Sequence, residues 1–106
     1  MVQEKIEELK ESYDNFLYVS KAFSNTNINS LQARSRLYGL SPAPLKGARV
    51  LELGSSCGGN IIPQALYYPE TTFTGIDLSG VQIEHGKELI ESMGLTNITL
   101  LEKNIM

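Results

Sequence analysis

The stretch of sequence that decides the fold is Glu52-Leu53-Gly54-Ser55-Ser56-Cys57-Gly58-Gly59-Asn60. It begins within the last two residues of a short apolar run at 48–53 and leads into a helical pattern that continues to Tyr67, so we predict a strand, a tight turn and a helix. Glycine in such a turn lets the backbone approach a ligand closely, because no Cβ occupies the ligand's place. The start of the helix adds unpaired N–H groups and partial positive charge. The stretch therefore predicts a site for a ligand with an anionic group.

The same alternation continues beyond this stretch. Residues 72–77 form the second predicted strand, and a capping box at Ser79 and Gln82 opens a predicted helix that ends at Gly94. Residues 97–102 form the third predicted strand. Strand, helix, strand, helix, strand predicts an α/β fold, a Rossmann-like parallel sheet with right-handed crossovers and strand order 3-2-1. The first strand would then lie at an edge of the sheet.

The first 44 residues have a different pattern, in which apolar side chains recur at spacings of four and three on one face of a predicted helix. These residues are Val2, Ile6, Leu9, Tyr13 and Phe16. A polar loop at 24–29, a second helix at about 30–38 and a stiff linker at 41–44 follow. The apolar face either covers the main domain or pairs with another helix. The aromatic residues of this region form either a lid over the site or the buried side of that cover: Tyr13, Phe16, Tyr18 and Phe23.

Composition narrows the classes of protein that remain. The chain has 106 residues, of which 42% are hydrophobic and 20% charged, as in one small globular unit. Its apolar runs are too short to cross a bilayer, and one cysteine, Cys57, excludes an internal disulfide and suits the cytoplasm. The net charge of −3 argues against a surface that wraps nucleic acid. We therefore expect no nucleic-acid partner, no membrane association and no metal site.

Asp77 ends the second predicted strand, where a carboxylate would face the ribose of a nucleotide lying across the strand ends. It could accept hydrogen bonds from both ribose hydroxyls, and hydrogen bonds to charged groups are worth about 1.5–3 kcal/mol each. The alternative is that Asp77 only caps the following helix. Ser79 and Gln82 already supply that cap, so we favour the ribose contact.

The type of nucleotide depends on Glu52. A dinucleotide fingerprint, GxGxxG, requires glycine at positions 54, 56 and 59. A second pattern, an acid followed by glycine at every other residue, requires an acid at 52 and glycine at 54, 56 and 58. Both patterns lack one glycine here, because position 56 is serine. A carboxylate at position 52 would repel a pyrophosphate but attract an ammonium group. Charge therefore favours S-adenosylmethionine, whose amino-acid end carries an ammonium group, over a nicotinamide dinucleotide.

Three segments resemble motifs I and II of the class I S-adenosylmethionine-dependent methyltransferases: Val50-Leu51-Glu52-Leu53-Gly54, Gly58-Gly59-Asn60 and Gly75-Ile76-Asp77-Leu78-Ser79. A closer resemblance is to bacterial methyltransferases that carry a methyltransferase regulatory domain, some of which modify protein lysines. The segments that carry it are residues 12–14, 37–42 and 59–63. The resemblance covers nearly all of residues 12–106. It implies an N-terminal helical cap and linker at 1–44, and a truncated, cofactor-binding half of a methyltransferase domain at 45–106.

The resemblance also implies a set of cofactor contacts: Glu52, Gly54, Ser55, Ser56, Gly58, Asp77, Leu78 and Asn104. The turn would wrap the methionine end of S-adenosylmethionine, with Glu52 at its amino group, and Asp77 would hold the ribose. Leu78 would pack against adenine, and Asn104 would accept from the adenine amino group where the family usually has an aspartate. Ser56 stands in place of a small residue or glycine and requires room for its hydroxymethyl group.

The predicted activity is methyl transfer to an unidentified acceptor, a protein lysine or a small molecule, with this chain supplying the cofactor-binding part and inactive alone. Two alternatives remain open: a non-catalytic cofactor-binding module that pairs with another chain, and an NAD-dependent oxidoreductase half-domain. No residue is assigned as catalytic; His85 is interpreted as a helix residue and Cys57 as a small filler. An open, apolar first strand at 50–53 predicts marginal stability or a homodimer through that edge.

Overall fold

The computed structural model describes residues 2–15 and 21–105 of the chain. Its elements are α1 (Val2–Asn15), a 3-10 turn (Ser24–Thr26), α2 (Ile28–Leu37), β1 (Arg49–Leu53), α3 (Ile61–Tyr67), β2 (Thr72–Asp77), α4 (Gly80–Met93) and β3 (Ile98–Glu102). Strand and helix alternate from residue 49 onward, which confirms the predicted α/β pattern. Only α2 begins earlier than predicted, because the Asn27 side chain accepts from the Asn29 N–H at 2.9 Å and caps the helix there.

The three strands form one parallel sheet in the order β1-β2-β3, which confirms the predicted 3-2-1 order with β1 at an edge. Parallel register aligns the strands in rows across the sheet. The core row consists of Val50, Phe73 and Ile98, and the site row, two residues further along each strand, consists of Glu52, Gly75 and Leu100. Both rows lie on the same face, since side chains alternate between faces along a strand.

This face of the sheet packs against the helices and forms the core. Phe73 and Leu100 are fully buried there, together with Ile61 and Ile83 from α3 and α4. On the opposite, open face, Leu51 and Leu53 are 61% and 57% exposed.

The expectation that Val50 lies along an exposed edge was wrong. Its side chain is half-buried and packs against the core, because it points to the helix-covered face, whereas Leu51 and Leu53 point to the open face. The exposed apolar surface of β1 therefore comes from alternate residues only.

Helix α4 begins and ends where its sequence predicts. The Ser79 hydroxyl accepts from the Gln82 N–H at 3.3 Å, and Gly94 ends the helix with a left-handed φ of +66°. Gly86, in the middle of α4, weakens a helix by roughly 1 kcal/mol relative to alanine. The structure gives its reason: a Cβ there would lie 2.6 Å from the carbonyl oxygen of Cys57, so only glycine lets α4 pack against the turn.

The N-terminal segments lie against this core to different extents. Ile28, the first residue of α2, is buried in the core. Helix α1 contacts α4, and Lys10 Nζ lies 3.1 Å from Glu102 Oε1. Val2 and Leu9 on the apolar face of α1 remain 70% and 44% exposed, and Ile6 is half-buried. The apolar face of α1 is thus only partly covered within the described residues.

Candidate functional site

The turn after β1 is built from three residues with left-handed backbone conformation. Gly54, Ser56 and Gly58 have φ values of +73°, +53° and +84°. The N–H groups of Gly54 and Ser55 both donate to the carbonyl oxygen of Ile76 in β2, at 2.8 and 3.0 Å. The turn is therefore held directly over the carboxyl end of the neighbouring strand, where parallel α/β sheets bind their ligands.

Ser56 is the one non-glycine residue at positive φ among the described residues. Left-handed backbone brings Cβ close to the following carbonyl oxygen and costs roughly 1–2 kcal/mol for an L-residue. Ser56 therefore occupies its place in the turn at the expense of backbone strain.

Gly75, at the centre of the site row, lets the turn approach the sheet. A Cβ on Gly75 would lie 2.7 Å from the Cβ of Ser55 and 2.8 Å from Ile61 Cδ1, so a larger residue would displace one of them. On its other side the turn packs against Gly86 of α4 through the backbone of Cys57. The position of the turn therefore depends on two glycines outside it.

Glu52 projects from β1 towards the start of α3. Its Oε2 accepts a hydrogen bond of 2.6 Å from Asn60 Nδ2. Burial raises the pKa of the Glu52 carboxyl above its ordinary value, and the hydrogen bond from Asn60 partly opposes that rise. A desolvated carboxylate of this kind favours a cationic group beside it.

The Asp77 carboxylate lies at the end of β2 and bonds to two backbone N–H groups. Its Oδ2 accepts from Ser56 at 2.9 Å, and its Oδ1 accepts from Ser79 at 2.9 Å. The sequence argument that Ser79 and Gln82 leave Asp77 without a structural role was incomplete, because Asp77 also fixes the glycine-rich turn. A carboxylate has about four lone-pair sites, so two remain for a ligand.

A cleft of about 310 Å³ opens beside the turn. Its lining residues are Lys21, Phe23, Thr26, Glu52, Leu53, Gly54, Ser55, Ser56 and Asn60. Four of the predicted contacts therefore line one cleft: Glu52, Gly54, Ser55 and Ser56.

Other predicted contacts lie outside this cleft. Gly58 is buried behind the turn, and Asp77 reaches the cleft through its bond to Ser56. Leu78 is half-buried and Asn104 is exposed after β3. Of the aromatic residues considered for a lid, Phe23 lines the cleft, whereas Phe16, Tyr18 and the Tyr13 side chain lie outside the described residues.

Asn60 is a site residue that the sequence did not single out. It begins a polar face of α3, followed at four-residue intervals by Gln64 and Tyr68. Asn60 Oδ1 accepts from the Phe23 N–H at 2.9 Å, and the buried Gln64 Oε1 accepts from the Ile28 N–H at 2.9 Å. The four-residue spacing of two amides in a short, otherwise apolar helix is the signal that could have identified this face.

Two further sequence candidates have no catalytic features in the structure. His85 is exposed on α4. Burial, and secondly the negative charge of Asp77, raise the pKa of the Cys57 thiol, which reduces its reactivity as a thiolate.

Within residues 2–15 and 21–105, no group of three metal-ligating side chains comes together. In the same part of the chain, every helix is too short or too polar to cross a membrane.

Comparison with known proteins identifies several relatives. No family model matches the chain. Two uncharacterized proteins of Rickettsia prowazekii are 38% and 37% identical over 81% and 92% of the chain. The chain spans only 16% and 39% of the length of these two relatives. A ribosomal RNA small subunit methyltransferase G from Christiangramia forsetii is 29% identical over 95% of the chain, which spans 50% of that protein.

Solved structures give a consistent result. PKMT2 from Rickettsia typhi, in complex with S-adenosylhomocysteine, is 36% identical, with a TM-score of 0.79 over 83% of this chain and 17% of its own. A methyltransferase from Geobacter sulfurreducens, also bound to S-adenosylhomocysteine, is 26% identical with a TM-score of 0.54 over 93% of this chain and 36% of its own. These likenesses, together with the parallel sheet and its glycine-rich turn, show that the chain is similar in sequence and fold to S-adenosylmethionine-dependent methyltransferases.

Proposed function

We propose that the chain binds S-adenosylmethionine at the cleft and supplies the cofactor-binding part of a methyl-transfer enzyme. The observation that carries the proposal is the half-buried Glu52 carboxylate beside the glycine-rich turn. An ammonium group would offset the desolvation of that carboxylate, whereas a pyrophosphate would be repelled. The complexes of PKMT2 and the Geobacter sulfurreducens methyltransferase with S-adenosylhomocysteine support the same ligand class.

The residues around the cleft fit such a ligand. A Cβ on Gly54 would meet no atom within 4 Å, so glycine leaves that side of the turn open to a ligand. The hydroxyl of Ser55 is buried and has no hydrogen-bond partner among the described residues. Open space and an unsatisfied polar atom at one turn are the features that a polar ligand requires.

The nucleoside end would lie further along the carboxyl ends of the strands. Asp77 would accept from the ribose hydroxyls with its remaining lone pairs while it holds the Ser56 N–H. Leu78 would pack against adenine, and Asn104 would accept from the adenine amino group without a charge. The uncharged amide predicts a weaker adenine contact than an aspartate would give.

When bound, S-adenosylmethionine supplies an electrophilic methyl group, and an acceptor displaces the sulfonium in line. The residues of this chain would orient the two ends of the cofactor, and positioning of this kind is a large part of catalysis. An amine acceptor must also lose a proton to a base or to water. Cys57, with its raised thiol pKa, and His85, exposed on α4, are not suited to that role.

A protein lysine is the acceptor class that we favour. It is supported by the resemblance of residues 12–14, 37–42 and 59–63 to methyltransferases of which some modify protein lysines, and by the similarity to PKMT2 from Rickettsia typhi. The acidic balance of the chain, with five carboxylates against two lysines in residues 1–14, also suits a lysine-bearing protein better than RNA. Ribosomal RNA, the substrate in the name of another relative, serves as the contrasting arm of an acceptor screen.

A cofactor-binding module without catalysis is the second candidate. It is favoured by the raised pKa of the Cys57 thiol and the exposed position of His85, since neither suits a base at the cleft. A radiolabelled methyl-transfer assay on the chain and on any longer form of it, with lysine-containing proteins, small molecules and ribosomal RNA as acceptors, separates the two. Cofactor binding by the longer form without transfer to any acceptor would favour the module.

Calorimetric titration tests the binding proposal directly. We expect S-adenosylhomocysteine to bind and NAD not to bind. Glu52→Gln should weaken the binding of S-adenosylhomocysteine about tenfold or more, because a charged hydrogen bond becomes neutral. Glu91→Gln, on the exposed surface of α4, is the matched control. Binding of NAD alone would overturn the proposal.

The ribose contact needs a variant that preserves the turn. Asp77→Asn keeps an oxygen that can accept from a backbone N–H and removes the charge, whereas alanine would also release Ser56 and Ser79. We expect Asp77→Asn to weaken the binding of S-adenosylhomocysteine more than that of its 2′-deoxy analogue. Equal losses for both ligands would contradict the ribose role.

We also propose a cytoplasmic location and a homodimer. The single cysteine supports the cytoplasmic location.

The edge strand supports the homodimer. Strand β1 pairs with β2 on one side, and its outer side has the free backbone groups of an edge strand in the described part of the chain. A second copy could pair there antiparallel about a twofold axis. Sedimentation should show concentration-dependent dimers, and a monomer at every concentration would contradict the interface.

A further inference from the structure

Hydrogen bonds between residues distant in sequence hold the segment from Phe23 to Ile28 against the polar face of α3, at Asn60 and Gln64. Besides its bond from Phe23, Asn60 Oδ1 lies 3.2 Å from the hydroxyl of Thr26. At the other end of the segment, Gln64 accepts from the backbone of Ile28. The segment therefore has a defined position beside the cleft although its own helical content is one 3-10 turn.

This attachment also orients Asn60. Because its Oδ1 accepts from Phe23 and Thr26, its Nδ2 is left to donate to Glu52, at 2.6 Å. One side-chain amide thus links the N-terminal segment to the carboxylate of the cleft. Movement of the segment would change the hydrogen bonding of Glu52.

Lys21 lies two residues before the first of these bonds. Its Nζ is 5.6 Å from the centroid of the Phe23 ring, within the range of a cation–π contact, and Lys21 lines the cleft together with Glu52. Among the described lining residues, Glu52 carries the one negative charge and Lys21 the one positive charge. The cleft is therefore complementary to a ligand that has both an ammonium group and a carboxylate.

We propose that Lys21 binds the carboxylate of the amino-acid end of S-adenosylmethionine, opposite Glu52 at the amino group, and that Asn60 is the positioning residue for both. This inference rests on the proposed function and deepens it. The α-amino and α-carboxylate groups of an amino acid are separated by one carbon, so two fixed opposite charges recognise the pair together. A ligand that lacks the carboxylate loses the contact with Lys21 and keeps the contact with Glu52.

The test uses two ligands and calorimetric titration of the whole chain. Lys21→Met should weaken the binding of S-adenosylhomocysteine roughly fivefold, the upper range for an exposed ion pair. It should leave unchanged the binding of the decarboxylated analogue, which retains the amine. Lys46→Met is the charge-matched control, since Lys46 pairs with Glu70 at 3.7 Å and does not line the cleft.

The outcomes separate this inference from the proposed function. Wild-type protein that does not bind S-adenosylhomocysteine would overturn the proposed function. Binding by the wild type with equal affinity in Lys21→Met, or equal losses for both ligands, would overturn the role of Lys21 alone. A loss in Lys46→Met of the same size would show an effect of net charge and would also overturn it.

A double-mutant cycle tests Asn60. If Asn60 positions Lys21, Lys21→Met should have little further effect in an Asn60→Ala background, because the lysine is no longer held over the cleft. Fully additive losses would contradict positioning. Thermal melting of each variant identifies any that do not fold, and Asn60→Leu replaces Asn60→Ala in that case, since leucine fills a similar volume and cannot accept from Phe23.

Discussion

Two rows of the sheet, separated by two residues on the same face, differ in the side chains that β1 and β2 contribute. The core row, Val50, Phe73 and Ile98, is apolar on all three strands, and its central residue is fully buried. The site row has a carboxylate on β1 and no side chain at its centre, Gly75, with Leu100 on β3. Backbone pairing is the same in both rows, so the side chains alone account for the difference.

The difference shows how the sheet contributes both stability and a site. The core row buries apolar area, at about 25 cal/mol per Å² removed from water. On β1 and β2 the site row gives up that gain, whereas Leu100 on β3 is buried in the core: Gly75 leaves space for the turn, and Glu52 loses part of its hydration. The turn then adds backbone strain at Ser56. The change from core to site therefore occurs over two residues of each strand.

The largest expected effect is on the core row. Phe73→Ala should lower the free energy of unfolding by about 3–5 kcal/mol, because a fully buried ring leaves a cavity. Leu51→Ala, on the open face, should change it by about 0.5 kcal/mol or less. Urea denaturation measures both. If Phe73→Ala does not fold, Phe73→Leu should give a smaller, measurable loss in the free energy of unfolding. Similar losses at positions 51 and 73 would contradict the distinction between the two faces.

The next effect is at the centre of the site row. Gly75→Ala should destabilise the protein by about 1–3 kcal/mol, since the new methyl group would overlap the Ser55 side chain and overpack the site. The binding of S-adenosylhomocysteine should weaken in the same variant, because the turn is displaced. Thr74→Ala, at the neighbouring position on the open face, is the control. Unchanged stability in Gly75→Ala would mean that the turn does not need this space.

A smaller effect of opposite sign is expected in the turn. Ser56→Gly should stabilise the protein by roughly 0.5–1 kcal/mol, because relief of left-handed strain exceeds the entropic cost of glycine. The same substitution at Ser92, inside α4, should destabilise by roughly 0.5–1 kcal/mol. Thermal unfolding measures both. Destabilisation by Ser56→Gly would show that the serine hydroxyl contributes more than the strain costs.

The smallest effect concerns the pH dependence of stability through Glu52. Its folded-state pKa is raised above the ordinary value of 4.5, so the folded state binds a proton more tightly than the unfolded state. The contribution of Glu52 is therefore most favourable below pH 4.5 and is lost as the pH rises through the folded-state pKa. Glu52→Gln should stabilise the unliganded protein at neutral pH, and this gain should shrink in acid. Denaturation at several pH values measures this gain, with Glu91→Gln as the control. A gain that is independent of pH would contradict the prediction.

Much of the fold could be predicted because its signals are local. Each of these signals depends on neighbours in sequence: the capping box at Ser79, the glycine at 94 and the strand patterns at 72–77 and 97–102. The site was predicted in part for the same reason, since Glu52 and the turn are contiguous. The exposure of Val50 was mispredicted because sequence alone placed the whole strand at an edge, whereas alternation of side chains buries every second residue against the helices.

The sequence by itself determined the parallel α/β order, the tight glycine-rich turn and the acid beside it, because these follow from glycine, charge and apolar spacing over short distances. The tertiary structure alone decided that Asn60 bonds to Phe23, 37 residues away, and that Ser55 lies against Gly75. Such contacts depend on how α3 and the turn pack across the sheet. A hydrogen bond or a close approach between distant segments has no local pattern, because the segments meet only after the core has formed.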